Sequence, residues 1–321
     1  MEIAQFAELF GAVRSEIARV LVGQDEVVTG ALVALFARGH VLLEGPPGLG
    51  KTLLVRALGR SLGCTFKRIQ FTPDLMPSDV TGSSVFNQKS DAFEFVSGPI
   101  FTQLLLADEI NRAPAKTQSA LLEAMQERQV TVDGVTRPLG SPFFVLATQN
   151  PIESQGTYPL PEAQLDRFLM KLVVRYPDLE SERNILRNHL RGFDAADLDR
   201  EGLRTIADAA TLNTMQEVAL TVRVDEALLA YITDLVRRTR EHRSIFVGAS
   251  PRASIALLRC AQILAASEGR DFIVPDDVKS LAPAILRHRI TLHPDAEIQG
   301  ISTDDCIDSI ARDTPAPQVG A

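Results

Sequence analysis

The stretch GPPGLGKT at residues 45–52 constrains the fold of this chain more than any other part of the sequence. It matches the pattern G-x-x-x-x-G-K-[ST], and it lies between an apolar run, VLLE, and a helical run, LLVRALGRSLG. A strand, a glycine-rich turn and a helix in this order direct several backbone N–H groups toward one phosphate. The alternative is a glycine-rich turn with no ligand, which would not require this context. The stretch therefore predicts an α/β fold with a phosphate-binding loop.

Short apolar runs alternate with helical stretches after an amphipathic helix that opens the chain. This alternation predicts a mostly parallel sheet with helices on both faces. Two stretches interrupt it and are typical of hairpins, at residues 84–98 and 128–140, and the second has Asp133-Gly134 as its turn. The predicted strands of the sheet lie at residues 41–44, 66–71, 102–107, 143–148 and 169–174.

Strand signals fade near Pro177, and helical patterns take over from there. We therefore expect an α/β core over residues 1–176 and a smaller all-α domain over residues 177–300. The last segment, residues 301–321, ends in DTPAPQVGA, whose composition is typical of a frayed end. We expect this tail to be partly flexible.

The composition argues against several classes of function. A net charge of −8 is unfavourable for a broad, non-specific hold on nucleic acid or an anionic membrane. Cys64, Cys260 and Cys306 are far apart in the sequence, which suits neither a disulfide framework nor a metal knuckle. The first ten residues are not those of a signal peptide, and no apolar run approaches the ~20 residues that span a bilayer. We expect a cytoplasmic protein with no membrane insertion and no nucleic acid partner.

Lys51 and Thr52 carry the chemistry of the phosphate-binding loop. Lys51 supplies a positive charge for the β- and γ-phosphates of ATP, and the Thr52 hydroxyl is a ligand for Mg²⁺. The expected ligands are therefore ATP and Mg²⁺. The predicted nucleotide-binding residues of this stretch are Gly45, Pro46, Pro47, Gly48, Leu49, Gly50, Lys51, Thr52 and Leu53.

Polar side chains follow two of the predicted strands. Asp108 and Glu109 end the apolar run TQLLLA, and Asn150 follows FFVLAT. Ligands of parallel sheets bind at the carboxyl edge, where these side chains are expected. Asp108 then suits the Mg²⁺ shell, Glu109 the base that activates water, and Asn150 the positioning of that water. The alternatives are a solvated loop start for the carboxylates and a turn-forming asparagine before Pro151.

Arg252 stands in an unusual position for a cation. Ser250 and Pro251 are typical of a helix start, and a positive charge there opposes the helix dipole. A bound anion would resolve this conflict. The alternative is an exposed arginine that tolerates a small penalty.

Taken in order, five segments resemble the MoxR family of AAA+ ATPases: GPPGLGKT, LLLADEINRA, ATQNP, LPEAQLDRF and GASPRA. The resemblance extends through the connecting sequence and covers most of the chain. It implies a P-loop NTPase core of the AAA+ type with hairpin inserts, followed by a helical lid. It also implies a homo-oligomeric ring, a hexamer.

The resemblance adds roles for three residues. Arg167 is similar to the arginine finger, which reaches the γ-phosphate of a neighbouring subunit, and its alternative is a salt bridge with Asp166 or another surface carboxylate. Arg252 is similar to the second sensor, and the sequence leaves open whether it serves its own subunit or the next. Gln24 is similar to the segment that borders adenine, and its alternative is a plain polar residue between helices.

The function implied by the resemblance is ATP-driven, chaperone-like remodelling or maturation of a protein client or metalloenzyme complex. A partner with a von Willebrand factor A domain is implied as well. One alternative is a motor subunit like those of MCM helicases or magnesium chelatase, and the acidic composition disfavours the nucleic-acid motor of the MCM type. Another is a non-enzymatic ATP-dependent assembly switch, which the presence of Glu109, Asn150 and Arg167 disfavours.

Overall fold

The computed structural model describes residues 1–150 and 157–317. Within these ranges the strands are β1 Val41–Glu44, β2 Phe66–Gln70, β3 Gly82–Asn87, β4 Ala92–Ser97, β5 Leu104–Asp108, β6 Gln129–Val132, β7 Val135–Pro138, β8 Phe144–Gln149, β9 Met170–Val173, β10 Ile245–Val247 and β11 Thr291–Leu292. The α-helices are α1 Ile3–Ala18, α2 Asp25–Phe36, α3 Lys51–Ser61, α4 Pro77–Thr81, α5 Ala115–Glu127, α6 Glu162–Leu165, α7 Leu179–Leu190, α8 Ala209–Ala219, α9 Glu226–Arg238, α10 Pro251–Ser267, α11 Pro275–Leu286, α12 Pro294–Ile298 and α13 Thr303–Asp313, and Ile110–Arg112 forms a 3-10 turn. None of these helices is both long and apolar enough to cross a lipid bilayer.

The five predicted core strands pair in one parallel sheet, in the order β2-β5-β8-β1-β9. The strands are apolar on both faces: residues 41–43 of β1 and 104–107 of β5 are fully buried. Such strands need cover on both sides, which the helices supply. The carboxyl ends of β1, β5 and β8 therefore meet at one edge, where polar residues begin.

Both predicted hairpins are present, β3 with β4 and β6 with β7. The second turns at Asp133 and Gly134, which both have positive φ, at 52° and 74°. Positive φ at both central residues gives the strand twist that a two-residue hairpin needs.

The second domain is helical as expected, but it also contains an antiparallel ladder of β10 with β11. Ile245 and Leu292 are paired in this ladder, and both are buried. Strands of three and two residues are too short to show an alternating pattern, so the sequence did not reveal them.

The expectation of a partly flexible tail from residue 301 needs a correction. Residues 303–313 form helix α13, capped by Ser302, and Cys306, Ile307 and Ile310 are buried in it. Helix α13 packs on α11 and α9. Its apolar residues recur at helical spacing, but the surrounding acidic residues concealed this face in the overall composition. The last four residues, 318–321, lie outside the described part of the chain.

Helix α1 connects the two domains. It packs on α2 and α3 of the core and on α10 of the helical domain. Phe6 and Phe10 of α1 meet Phe36 of α2, with ring centroids 5.2 and 5.7 Å apart. Helix α10 also contacts α2, and α11 contacts β9. The helix that carries Arg252, α10, is therefore held against the core by its packing on α1 and α2.

Candidate functional site

The phosphate-binding loop has a backbone that only glycine accommodates at its key positions. A Cβ on Gly45 would lie 2.4 Å from the Val174 carbonyl oxygen. Gly48 and Gly50 have φ of +82° and +81°, in the left-handed region that favours glycine. Gly50 is also the N-cap of α3, so Lys51 and Thr52 form its first turn. The first N–H groups of a helix have no acceptor within the helix, so those of this turn are available to a phosphate.

Lys51 folds back over the loop. Its Nζ donates to the Gly45 carbonyl at 2.5 Å. Burial lowers the pKa of Lys51, while the nearby carboxylates of Asp108 and Glu109 oppose this change. The half-buried cation therefore depends on anions around it, and a bound phosphate would supply more of them.

Thr148 of β8 holds the two carboxylates that end β5. Its Oγ1 donates to Asp108 Oδ1 at 2.6 Å and accepts the backbone N–H of Glu109 at 2.9 Å. Glu109 has a φ of 56°, an uncommon conformation for a residue with a side chain. The neighbouring strand thus fixes the turn that separates Asp108 from Glu109.

Side chains of β2 hold the other oxygens of these carboxylates. Arg68 Nη2 donates to Asp108 Oδ2 at 2.7 Å and to Gln70 Oε1 at 2.9 Å. Gln70 Nε2 donates to Glu109 Oε2 at 2.6 Å, and Arg112 Nε lies 3.1 Å from the same oxygen. Sequence reasoning missed Arg68, Gln70 and Thr148. The available signal was the alternation in FKRIQF, which puts residues 68 and 70 on one face of β2.

These elements enclose one cleft of about 690 Å³, within the range of small-molecule sites. Arg56 of α3 donates to the carbonyls of Ala195 and Ala196 at 2.8 and 2.5 Å, so a segment that the sequence did not single out forms part of the wall. Of the predicted residues, the cleft contains Pro47, Gly48, Gly50, Lys51, Thr52, Leu53, Asp108, Glu109 and Asn150; Arg56, Arg68, Gln70, Thr148, Ala195 and Ala196 complete its lining.

The residues of the cleft fit a magnesium ion that is held together with phosphates. Thr52 and Asp108 bring a hydroxyl and a carboxylate oxygen to the same space. Mg²⁺ prefers such oxygens and usually takes one or two carboxylates plus phosphate oxygens and waters. Across residues 1–150 and 157–317, no cluster of three or more His, Cys, Asp or Glu side chains could hold a metal by itself.

Gln24 does not line this cleft. It is buried, and its Nε2 donates to the Arg175 carbonyl at 2.9 Å. The preceding Gly23 is close to Pro177 and Ser181, because a Cβ there would lie 2.9 Å from each of their Cβ atoms. Gln24 therefore ties the start of α2 to the end of β9, and its contact with adenine stays a prediction.

Arg167 and Arg252 are outside the cleft and line a second depression of about 260 Å³, which we call the arginine groove. Asp166 accepts Arg289 Nε at 2.8 Å and lies 3.6 Å from Arg252 Nη1. Within the described residues Arg167 forms no ion pair, so a salt bridge with Asp166 or with another carboxylate, its expected alternative, is absent there. The charged residues of the groove are Arg38, Arg128, Arg167, Arg252, Arg259, Arg289 and Asp166.

The groove and the cleft lie at opposite edges of the sheet. Leu169 N–H donates to the His40 carbonyl at 2.8 Å, just before β9 and β1 begin, and His40 lines the groove. The phosphate-binding loop instead follows the carboxyl end of β1. The two edges are separated by at least the length of β1, which is about 13 Å for four residues.

Comparisons with known proteins agree with this architecture. Models of the "ATPase family associated with various cellular activities (AAA)" and of the "AAA lid domain" match residues 40–170 and 237–310. A solved structure of a candidate ATPase from Cytophaga hutchinsonii superposes with a TM-score of 0.90 at 42% identity, covering 98% of this chain and 97% of that one.

Three relatives match over nearly the whole chain. The uncharacterised protein YeaC of Bacillus subtilis is 48% identical, over 96% of this chain and 95% of its own. The chaperone MoxR1 of Mycobacterium tuberculosis is 45% identical, over 95% of this chain and 82% of its own. The protein MoxR of Methylorubrum extorquens is 34% identical, over 94% of this chain and 93% of its own. This chain therefore belongs to the MoxR family of AAA+ ATPases.

Proposed function

We propose that this ATPase assembles head to tail into a homohexameric ring, in which Arg167 of one subunit acts on the ATP held in the cleft of the next. The position of Arg167 carries the proposal. It lies at the amino edge of the sheet, while Lys51 and Glu109 lie at the carboxyl edge of the same sheet. An arginine there cannot meet its own cleft, and a head-to-tail interface can close into a ring.

Within one cleft, the roles follow from the contacts. Lys51 and the N-terminus of α3 bind the phosphates, and Thr52 and Asp108 hold Mg²⁺. The ion neutralises charge on the β- and γ-phosphates when bound. Glu109, oriented by Gln70 and by Thr148, takes the proton of the attacking water. Asn150 lines the same cleft and positions that water.

We assign Arg252 to the neighbouring subunit's nucleotide as well, a question that the sequence leaves open. Its guanidinium is 60% exposed and lies in the arginine groove with Arg167. It is absent from the lining of its own cleft. Because α10 is fastened to α1 and α2, Arg252 and Arg167 would approach one incoming nucleotide together.

The work done by the ring is the remodelling or maturation of a client protein or metalloenzyme complex. The name of the relative MoxR1, a chaperone, supports this part of the proposal. A partner with a von Willebrand factor A domain rests on the family resemblance. ATP turnover would move the subunits of the ring relative to one another, and the ring would pass this motion to the client.

A subunit-mixing experiment tests the shared site. Arg167→Ala and Glu109→Gln subunits should each be inactive alone. In a random equal mixture, about one quarter of the interfaces would pair an intact Glu109 with an intact Arg167, so about one quarter of the wild-type rate should return. A mixture that stays inactive would contradict the proposal, as would a dilute monomer with the full rate per subunit.

A further inference from the structure

The arginine groove has more positive charge than the proposed function explains. It contains six guanidinium groups and one carboxylate, Asp166, which already contacts Arg289 and Arg252. In the part of the chain that the structure describes, Arg128, Arg167 and Arg259 form no ion pair with any carboxylate. Like charges gathered in this way repel one another, and an anion from outside would remove the repulsion.

Arg128 is held in place by its backbone. It ends α5 in the left-handed conformation, with a φ of 53°. Its N–H donates to the Ala124 carbonyl and its carbonyl accepts the N–H of Leu139, both at 2.9 Å. The side chain uses Nη2 to donate to the Arg38 carbonyl at 3.1 Å. A guanidinium has five N–H donors, so most of this group is available to an incoming ligand.

Two of the other groove arginines have structural partners instead. Arg38 donates to Gln216 Oε1 at 2.9 Å. Arg289 is only 4% exposed and donates to Asp166 and to the carbonyl of Phe168. Arg259 belongs to α10 of the lid. Arg128 and Arg167 are thus the groove arginines that the α/β core itself presents. Burial lowers the pKa of Arg128, and Arg38 and Arg259 lower it further, so an anion would favour its charged form.

We propose that Arg128 is a further arginine that each subunit contributes to the triphosphate in its neighbour's cleft. This inference rests on the proposed head-to-tail ring, because Arg128 lies at the same edge of the sheet as Arg167. It donates to phosphate oxygens from a fixed backbone position, and Arg167 completes the set of donors.

The test compares Arg128→Gln with Arg137→Gln, a matched control that removes the same charge from the same hairpin segment. Arg137 lies over the ring of Phe95, 3.9 Å from its centroid, and does not line the groove. Arg128→Gln should lower kcat about 10- to 150-fold, the effect of one hydrogen bond to a charged group. The control should stay within about twofold of wild type. Binding of a fluorescent ATP analogue to dilute subunits should be unchanged in both.

Subunit mixing separates a contact across the interface from a role within one subunit. Arg128→Gln mixed with Glu109→Gln should recover activity toward about one quarter of the wild-type rate. Arg128→Gln mixed with Arg167→Ala should not recover, because both changes remove donors to the same site. Arg128→Asn is a second variant at the same position, because asparagine tolerates the left-handed backbone better than glutamine does. If the loss of activity comes from the missing guanidinium and not from misfolding, the two variants should behave alike.

Each outcome has one meaning. Recovery with Glu109→Gln and no recovery with Arg167→Ala supports the inference. If Arg167→Ala recovers with Glu109→Gln but neither Arg128 variant does, Arg128 acts within its own subunit and this inference fails while the proposed function stands. If no mixture recovers, the shared site itself is wrong. Unchanged kcat in both Arg128 variants would also overturn the inference.

Discussion

Replacing Thr148 by valine tests whether one hydroxyl holds the catalytic carboxylates in place. Thr148 is 1% exposed, and valine has nearly the same shape. The substitution removes the donor to Asp108 Oδ1 and leaves the N–H of Glu109 without its acceptor. A hydrogen bond to a charged group and an unpaired buried N–H together are worth about 2.5 to 6 kcal/mol. Water can reach Asp108, which is 18% exposed, so we expect a loss of about 2 to 3 kcal/mol in the free energy of unfolding.

The loss should also appear in turnover. Glu109 sits in a left-handed conformation that Thr148 supports, and a shift of about 1 Å in a catalytic group can cost about 100-fold in rate. Urea unfolding followed by circular dichroism measures the first effect, and steady-state ATPase assays measure the second. Thr148→Ser keeps the hydroxyl and is the matched control, with a smaller loss in both assays. Wild-type stability and turnover in Thr148→Val would refute the idea that this hydroxyl organises the site.

Three further predictions concern the cleft and the amino edge of the sheet. Glu109→Gln should bind ATP, fail to hydrolyse it and accumulate assembled rings in sedimentation velocity runs; normal turnover would remove Glu109 as the base. Arg68→Gln frees one oxygen of Asp108, so the Mg²⁺ concentration that half-saturates nucleotide binding should fall about fivefold, the scale of a partly exposed ion pair; a rise would show that Arg68 assists the metal. Burial lowers the pKa of His40 to about 4, so the neutral form stabilises the fold above pH 6.5 and this contribution is lost as the pH falls toward 4. Between pH 7 and pH 5 the free energy of unfolding of the wild type should fall by about 2 kcal/mol more than that of His40→Gln, as measured by urea unfolding at both pH values. An equal fall in the two proteins would contradict this.

The core of the fold was predictable because its signals are local. The five strands of the sheet are apolar runs, and the loop at residues 45–52 has a pattern that needs a strand before it and a helix after it. The hairpins were predictable for the same reason, since Asp133-Gly134 selects its turn. Helix α13 and the ladder of β10 with β11 were missed. Their stability comes from burial against distant elements, such as Cys306 and Ile307 in the shared core.

The sequence predicted four residues of the cleft, because each of them follows a strand or opens a helix. They are Lys51, Thr52, Asp108 and Glu109. The side chains that hold the two carboxylates in place were not predicted. Arg68, Gln70 and Thr148 meet the carboxylates only because β2, β5 and β8 are neighbours in the sheet, although they are widely separated along the chain.

The amino-acid sequence by itself determined the phosphate-binding loop, the strand ends that carry the carboxylates and the family, since these depend on neighbours within a few residues. Only the tertiary structure decided that Arg167 and Arg252 share a groove with Arg128 at the opposite edge of the sheet from Lys51. The physical reason is that α10 is packed on α1 and α2 by long-range burial, and strand order, which no local pattern encodes, sets which elements are neighbours along each edge.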